Sequence, residues 1–188
     1  MTTIPTGRSR RSLATADLTS VALRAGRGDE LALEVLVERT VDDVRRYCAH
    51  MFTADQADDL TQATYLRALR SLPSYRGDSS ARTWLIGIAR HVCLDEMRSR
   101  QRRGRLVARL KAQPQDTTTP ADTGSVELRE AIDALAPDRR EAFVLTQLLG
   151  FPYEDAAGVI GCPVGTIRSR VSRARTDLLD AREATASA

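Results

Sequence analysis

The sequence predicts an all-α protein built as two small helical domains joined by a flexible linker. Three observations carry this expectation. Apolar residues recur at helical period in successive segments bounded by turn residues. Aromatic residues make up only 4% of the chain, and no strand-like alternation of useful length appears. Between about Gly104 and Gly124 the composition shifts, and QPQDTTTPADTG has no apolar period at all, which is how a linker reads. With 188 residues and 42% hydrophobic content, the chain can build two modest cores.

Taken in order, residues 1–16 are rich in Thr, Arg and Ser and contain no apolar segment, so they are expected to be a disordered tail and not a secretory signal. Asp17 can cap a helix ending near Gly26, and Asp29 a much longer one with Leu33, Leu36, Val37, Val44, Tyr47, Cys48 and Met51 on its inner face. Thr53 and Gln56 have the spacing of a capping box. The helix that follows has more apolar surface than one core needs. Thr64, Tyr65, Ala68, Leu69 and Leu72 form its inward face, while Leu60 and Leu66 flank a second side holding Asp59, Ala63, Arg67 and Arg70, with Gln62 at its edge. That surplus fits either a protein–protein contact or a middle helix of a bundle.

After the loop at Pro73–Ser80, a helix from near Ala81 has Leu85, Ile88, Ala89 and Val92 as its core stripe. Trp84, His91 and Arg98 recur every seven residues along another seam, and Tyr75 and Arg76 precede it on the loop. Aromatics beside arginines can stack unpaired bases while holding phosphates; Trp84 could equally be a core anchor. The end of this helix is basic, with Arg98, Arg100, Arg102, Arg103, Arg105, Arg109 and Lys111 and no acid between Glu96 and Asp116. Such a run is a phosphate-binding patch or a solvated helix end.

Beyond the linker, Ser125 can cap a helix with Leu128, Ala131, Ile132 and Leu135 inward. Pro137 opens another, which stops at Gly150. A third runs from Pro152 to Gly161, and the last follows Pro163. In that last helix Ile167, Val171, Ala174 and Leu178 share one stripe, and Arg168, Ser169, Ser172, Arg173 and Thr176 share the opposite side, with Arg170 and Arg175 on the flanks. An apolar back, an Arg/Ser front and a short preceding helix fit a helix-turn-helix, whose second helix enters the DNA major groove; the arginine-rich face by itself would equally suit a solvated side of an ordinary amphipathic helix.

The net charge is only +3, so basic residues matter by where they cluster. All of them except Lys111 are arginine, and asparagine is absent, a skew expected of a GC-rich genome. Cys48, Cys93 and Cys162 are far apart, without a C-x-x-C pair, and are expected to be small buried hydrophobes in a reducing compartment, not disulfide or zinc cysteines. With only His50 and His91 beside them, no metal site or other cofactor is expected. No nucleophile–base pair or phosphate-cradling glycine loop is visible, so enzymatic activity is not expected. No long apolar run could span a membrane, and the expected location is cytoplasmic.

Three segments in order, DDLTQATYLRAL, YRGDSSARTWLIGIARHVCLDEMRSR and APDRREAFVLTQLLGFPYEDAAGVIGCPVGTIRSRVSRAR, resemble the extracytoplasmic-function (ECF) sigma factors. These are small promoter-recognition subunits of bacterial RNA polymerase. The likeness covers about Asp17 to Asp180. It implies a sigma-2-like bundle over 17–103, a linker over 104–124 that threads toward the RNA exit channel, and a sigma-4-like helix-turn-helix domain over 125–183.

By that resemblance Asp59, Gln62, Ala63 and Leu66 would contact the β′ clamp helices of core RNA polymerase, with the β subunit also a partner. Ala63 departs from the glutamate frequent in relatives. Tyr75, Arg76, Trp84, His91 and Arg98 would capture the −10 element, with His91 standing where many relatives have asparagine. Arg168, Ser169, Ser172 and Arg173 would face −35 bases in promoter DNA, and Arg170 and Arg175 would be phosphate or packing residues. Many relatives are also held by an anti-sigma factor.

Overall fold

The computed structural model describes residues 7–108 and 123–186. Every regular element among them is helical: α1 (Gly7–Thr15), α2 (Leu18–Ala25), α3 (Glu30–Met51), α4 (Ala54–Ser71) with a 3₁₀ turn at Leu72–Ser74, α5 (Ala81–Ala108), α6 (Thr123–Ala134), α7 (Pro137–Phe143) with a π turn at Val144–Leu148, α8 (Tyr153–Ile160) and α9 (Val164–Ala186). The chain packs as two compact units, divided after Val92 inside α5.

In the first unit α3 is central, with α1, α2 and α4 packed on it. The two aspartates read as caps do cap. Asp17 accepts the Ser20 N–H and Asp29 the Ala32 N–H, each at 3.0 Å, satisfying donors that the first helical turn leaves free. Val35, Leu36, Val44, Tyr47 and Cys48 from α3 are buried with Val21 and Ala22 from α2 and Ala57, Leu60 and Ala68 from α4, whereas Leu33, Val37 and Met51, expected on the same face, are half-buried. Arg82 of α5 reaches Asp43 of α3 at 2.6 Å.

Several expectations need correction here. Residues 7–15, read as part of a disordered tail, form α1. Leu13 is 2% exposed, Arg10 bridges Glu34 and Glu38 of α3, and Arg39 donates to the Ala16 carbonyl at 2.7 Å. One leucine and an arginine fork suffice to dock so short a helix, and neither makes a period. Residues 1–6 lie outside the described residues.

The Thr53–Gln56 capping box does not form. Thr53 is the N-cap of α4 without a side-chain cap bond, and its carbonyl instead receives the Gln56 and Ala57 N–H groups. Leu69, expected inward, is 43% exposed; α4 is rotated so that Leu60, Thr61, Thr64 and Ala68 face α3. On α5 the buried stripe is Leu85, Ile86 and Ala89, with Cys93 also buried, whereas Ile88 and Val92 are half-buried.

In the second unit α9 is the organising helix, with α6, α7 and α8 packed on it. Its back, Ile167, Val171 and Ala174, is fully buried, together with Ile132, Ala142, Val144, Leu145, Leu149, Phe151 and Ala156. Each large aliphatic so buried is worth about 1.5–3 kcal/mol. α6 begins at Thr123, so Ser125 lies inside it and is not its cap, and Leu128 is exposed, not inward. α5 runs past Gly104 to Ala108, into the expected linker; residues 109–122 lie outside the described residues.

Candidate nucleic-acid interface

The helix-turn-helix is set by its glycine and two prolines. Gly161 has φ 77° and ψ 43°, a left-handed conformation open to glycine at little cost. It turns the chain so that the Gly161 and Cys162 N–H groups both reach the Ala157 carbonyl, at 2.8 and 3.1 Å, closing α8. Pro163 then gives its carbonyl to the Thr166 and Ile167 N–H groups at the start of α9. Pro152 is the N-cap of α8, one residue before the first-turn position expected of it.

With Ile167, Val171 and Ala174 buried, helical periodicity turns Arg168, Ser169, Ser172, Arg173 and Thr176 outward, and all five are exposed. Arg168 and Arg173 have no ion partner among the described residues. Ser169 donates to the Thr166 carbonyl at 2.9 Å, which leaves its oxygen free to accept. The flanking arginines differ. Arg170 lies 3.2 Å from Asp138 of α7, and Arg175 donates to Gln147 Oε1 at 2.6 Å. Both are engaged within their own unit.

In the first unit the loop before α5 closes on itself. Tyr75 donates to the Ser79 carbonyl at 2.6 Å, and its ring meets that of Trp84 with centroids 4.8 Å apart and planes at 37°. Burial of the Tyr75 ring pushes its phenol above the ordinary range. Trp84 is half-buried, so it is not a fully enclosed core anchor. Arg76 is 83% exposed, with only a 3.5 Å approach to the equally exposed Asp78, a contact of little energetic weight in water. His91 is exposed, and its Nδ1 lies 2.7 Å from the Gly87 carbonyl. Tyr75 and Trp84 are thus brought together, with the exposed Arg76 beside Tyr75 on the loop and His91 two turns along α5.

Arg98, further along α5, pairs with Asp95 at 3.2 Å. Glu96 takes Arg100 at 3.0 Å and Arg103 at 2.7 Å. Those arginines hold its carboxyl below the usual carboxylate range, the Arg100 hydrogen bond foremost. The run that looked acid-free is therefore partly neutralised from its N-terminal end. Arg109 and Lys111 lie outside the described residues.

On α4, Asp59, Gln62, Ala63 and Leu66 are all exposed. Leu66 is 53% exposed and Leu69, one turn on, 43%. Leu69 is the member of this patch that the sequence missed, because period alone cannot tell an inward leucine from one at a second face. Cys48 and Cys93 are buried and Cys162 half-buried, and none of the three is in a disulfide among the described residues. Among the described residues no group of three or more His, Cys, Asp or Glu side chains could hold a metal ion, and no helix is long and apolar enough to cross a membrane.

Comparison with known proteins gives matches in both units. The family "Sigma-70 region 2" matches residues 36–103 and "Sigma-70, region 4" residues 125–178. The chain is similar to the ECF RNA polymerase sigma factor SigC of Mycobacterium tuberculosis, 47% identical over 167 residues, covering 86% of this chain and 89% of that one. Among solved structures it is similar to the sigma factor RpoE of Bartonella quintana in complex with the anti-sigma factor NepR (TM-score 0.71, 32% identity, 80% of this chain and 96% of that one). It is also similar to CnrH in complex with the cytosolic domain of CnrY (TM-score 0.70, 25% identity, 88% and 97%).

Proposed function

The chain belongs to the ECF sigma factors, transcription initiation factors that direct promoter-specific transcription, and we propose that it does so by reading the −35 element as duplex and the −10 element as melted strand. The observation that carries this reading is the division of α9: a back of Ile167, Val171 and Ala174 that is fully buried, and a front on which Arg168 and Arg173 stand exposed. A helix so anchored can be laid in a major groove, where a guanidinium reads guanine O6 and N7 with two donors. Ser169 and Ser172 add hydroxyls at the same face.

Residues 125–183 are assigned to the −35 element and residues 17–103 to core polymerase and the −10 element, with 104–124 between them. At the −10 element, unstacking a base has a cost, which stacking on aromatics and phosphate contacts can offset. Trp84 and Tyr75 offer the rings, while Arg76, His91 and Arg98 offer hydrogen bonds and charge. The exposed patch of Asp59, Gln62, Ala63 and Leu66 is assigned to the β′ clamp helices, with the β subunit as a further contact. Core polymerase then holds both readers at fixed spacing, so that two weak contacts act together through effective concentration. A protein of the kind that holds the Bartonella relative, an anti-sigma factor, is a further proposed partner.

Transcription with purified components tests the reading. A promoter selected from a randomised library should give run-off transcripts only when core polymerase and this chain are both present. Tight, specific DNA binding by the chain alone, with no transcript on adding core, would instead make it a self-sufficient helix-turn-helix regulator.

A further inference from the structure

The polar ties between α7 and α9 are reciprocal in sign. Asp138 and Arg139 are sequence neighbours in the first turn of α7, and each meets the opposite charge on α9. Asp138 Oδ2 lies 3.2 Å from Arg170 Nε, and Arg139 Nη1 lies 2.6 Å from Asp177 Oδ2. Seven residues is close to two helical turns, so Arg170 and Asp177 fall on nearly one line, about 10.5 Å apart along α9. The order of signs gives the contact a direction. Running α9 the other way past α7 would set Arg170 toward Arg139 and Asp177 toward Asp138. Sliding α9 by one turn, about 5.4 Å, would separate both pairs.

Arg170 is the most enclosed of the four, its side chain 24% exposed. Its Nη1 also lies 3.9 Å from Cys162 Sγ, in the turn that leads into α9. The guanidinium is therefore occupied on two sides by its own unit, whereas Arg168 and Arg173 on the same helix are exposed. A phosphate could take Nε of Arg170 only by displacing Asp138, and the side chain is three-quarters enclosed.

We propose that Arg170 is a positioning residue for −35 reading and not a phosphate contact. With Asp138, and supported by Arg139 and Asp177, it fixes the rotation and register of α9 on α7, so that Arg168, Ser169, Ser172 and Arg173 meet the groove at one angle. This rests on the −35 reading proposed above.

The test uses holoenzyme reconstituted with the full chain, a library-selected promoter, and the same promoter with its −35 element scrambled. The variants are Asp138→Asn, Arg170→Gln, and the exchange of Asp138→Arg with Arg170→Asp. Circular dichroism at the assay temperature establishes that each is folded. Both single variants should lower the transcript ratio of intact to scrambled promoter by about tenfold, the order of one misplaced bidentate base contact. The dependence of log affinity on log salt should keep its slope, and the exchange should restore most of the ratio.

A phosphate contact behaves differently. Arg170→Gln would then reduce the salt slope by about 0.9, and Asp138→Asn, by freeing the guanidinium, would tighten binding. Either result, or an unchanged ratio in both single variants, overturns the proposal. If a single variant unfolds, the folded exchange variant decides: a restored ratio supports the proposal and a lost one overturns it. Should both the singles and the exchange fail to fold, the same comparison with Arg139→Asp and Asp177→Arg exchanged decides in the same way. Failure of the −35 reading itself is separable, since the unsubstituted chain would then give a ratio near one.

Discussion

Gly26 lies so close to the backbone of Leu72 that a Cβ at Gly26 would stand 2.6 Å from the Leu72 carbonyl oxygen. The position has φ −63°, where alanine is ordinarily favoured over glycine through the unfolded chain. Here the close contact decides the sign, because a backbone carbonyl cannot swing aside as a side chain can. Gly26→Ala should destabilise the protein by about 1–3 kcal/mol, the range of a small overpacking, seen as a lower urea midpoint at unchanged slope. Gly87→Ala is the control. Nothing lies within 4 Å of its Cβ, and it should stabilise by about 0.5–1 kcal/mol through helix propensity.

Leu66 and Leu69 form the exposed apolar part of α4, next to Asp59, Gln62 and Ala63. A charge placed there meets solvent in the free protein, so Leu66→Glu should leave the unfolding free energy within about 0.5 kcal/mol of the original. Buried against a partner, the same charge would be desolvated. Affinity for core polymerase in a pull-down or titration should fall by at least about tenfold, in line with an interface residue worth more than 1 kcal/mol. Retained affinity would mean the interface lies elsewhere.

Tyr65 and Thr40 tie α4 to α3. The Thr40 hydroxyl has one hydrogen, which goes to the Leu36 carbonyl at 2.6 Å, so the 2.7 Å contact between Thr40 Oγ1 and Tyr65 Oη has the phenol as donor. Burial pushes the Tyr65 phenol up from 10.0 to about 12. Tyr65→Phe should cost about 1 kcal/mol near neutral pH, the net worth of one such bond. The sign with pH follows from linkage. The folded state favours the neutral phenol, so its contribution is complete below pH 10.0 and is lost as pH rises through about 12. The stability gap between the two proteins should therefore be constant to about pH 10 and close above it. A gap that widened with pH would mean that the folded state favours the ionised phenol.

Much of the fold was legible because caps and periods are local. Asp17, Asp29, Gly161 and Pro163 each act within one helical turn of themselves, and the Ile167–Val171–Ala174 stripe repeats on one helix. The errors came where a second element decides. Leu69 and Leu128 are spaced like core residues, but the helices they sit on turn other faces inward. α1 is docked by Leu13 and by Arg10 on Glu34 and Glu38, contacts from a chain segment more than twenty residues away that no periodicity shows. Glycine at 26 reads in sequence as a helix stop, and its close approach to Leu72 is visible only once both backbones are placed. The candidate site divides in the same way. The exposed face of α9 followed from its apolar back, while the engagement of Arg170 by Asp138 and of Arg100 and Arg103 by Glu96 depended on where acids on neighbouring turns and helices reach.

Arg173 offers the most direct check on the proposed interface. It sits on the exposed front of α9, between the buried Val171 and Ala174, without an ion partner among the described residues. Its replacement by glutamate removes no internal contact, so folding and affinity for core polymerase should be unaffected. At the groove the substitution replaces a donor fork by an anion facing phosphates. Transcription from a promoter with an intact −35 element should fall by at least about tenfold, since one good bidentate pair is worth about 1–3 kcal/mol of discrimination. The residual activity should no longer respond when that element is scrambled. Arg173→Lys separates charge from geometry: a lysine keeps the phosphate attraction but lacks the planar fork, so it should retain salt-dependent binding while losing part of the base discrimination. If Arg173→Glu transcribes as well as the original chain and still discriminates between the two promoters, α9 does not read the duplex through this face.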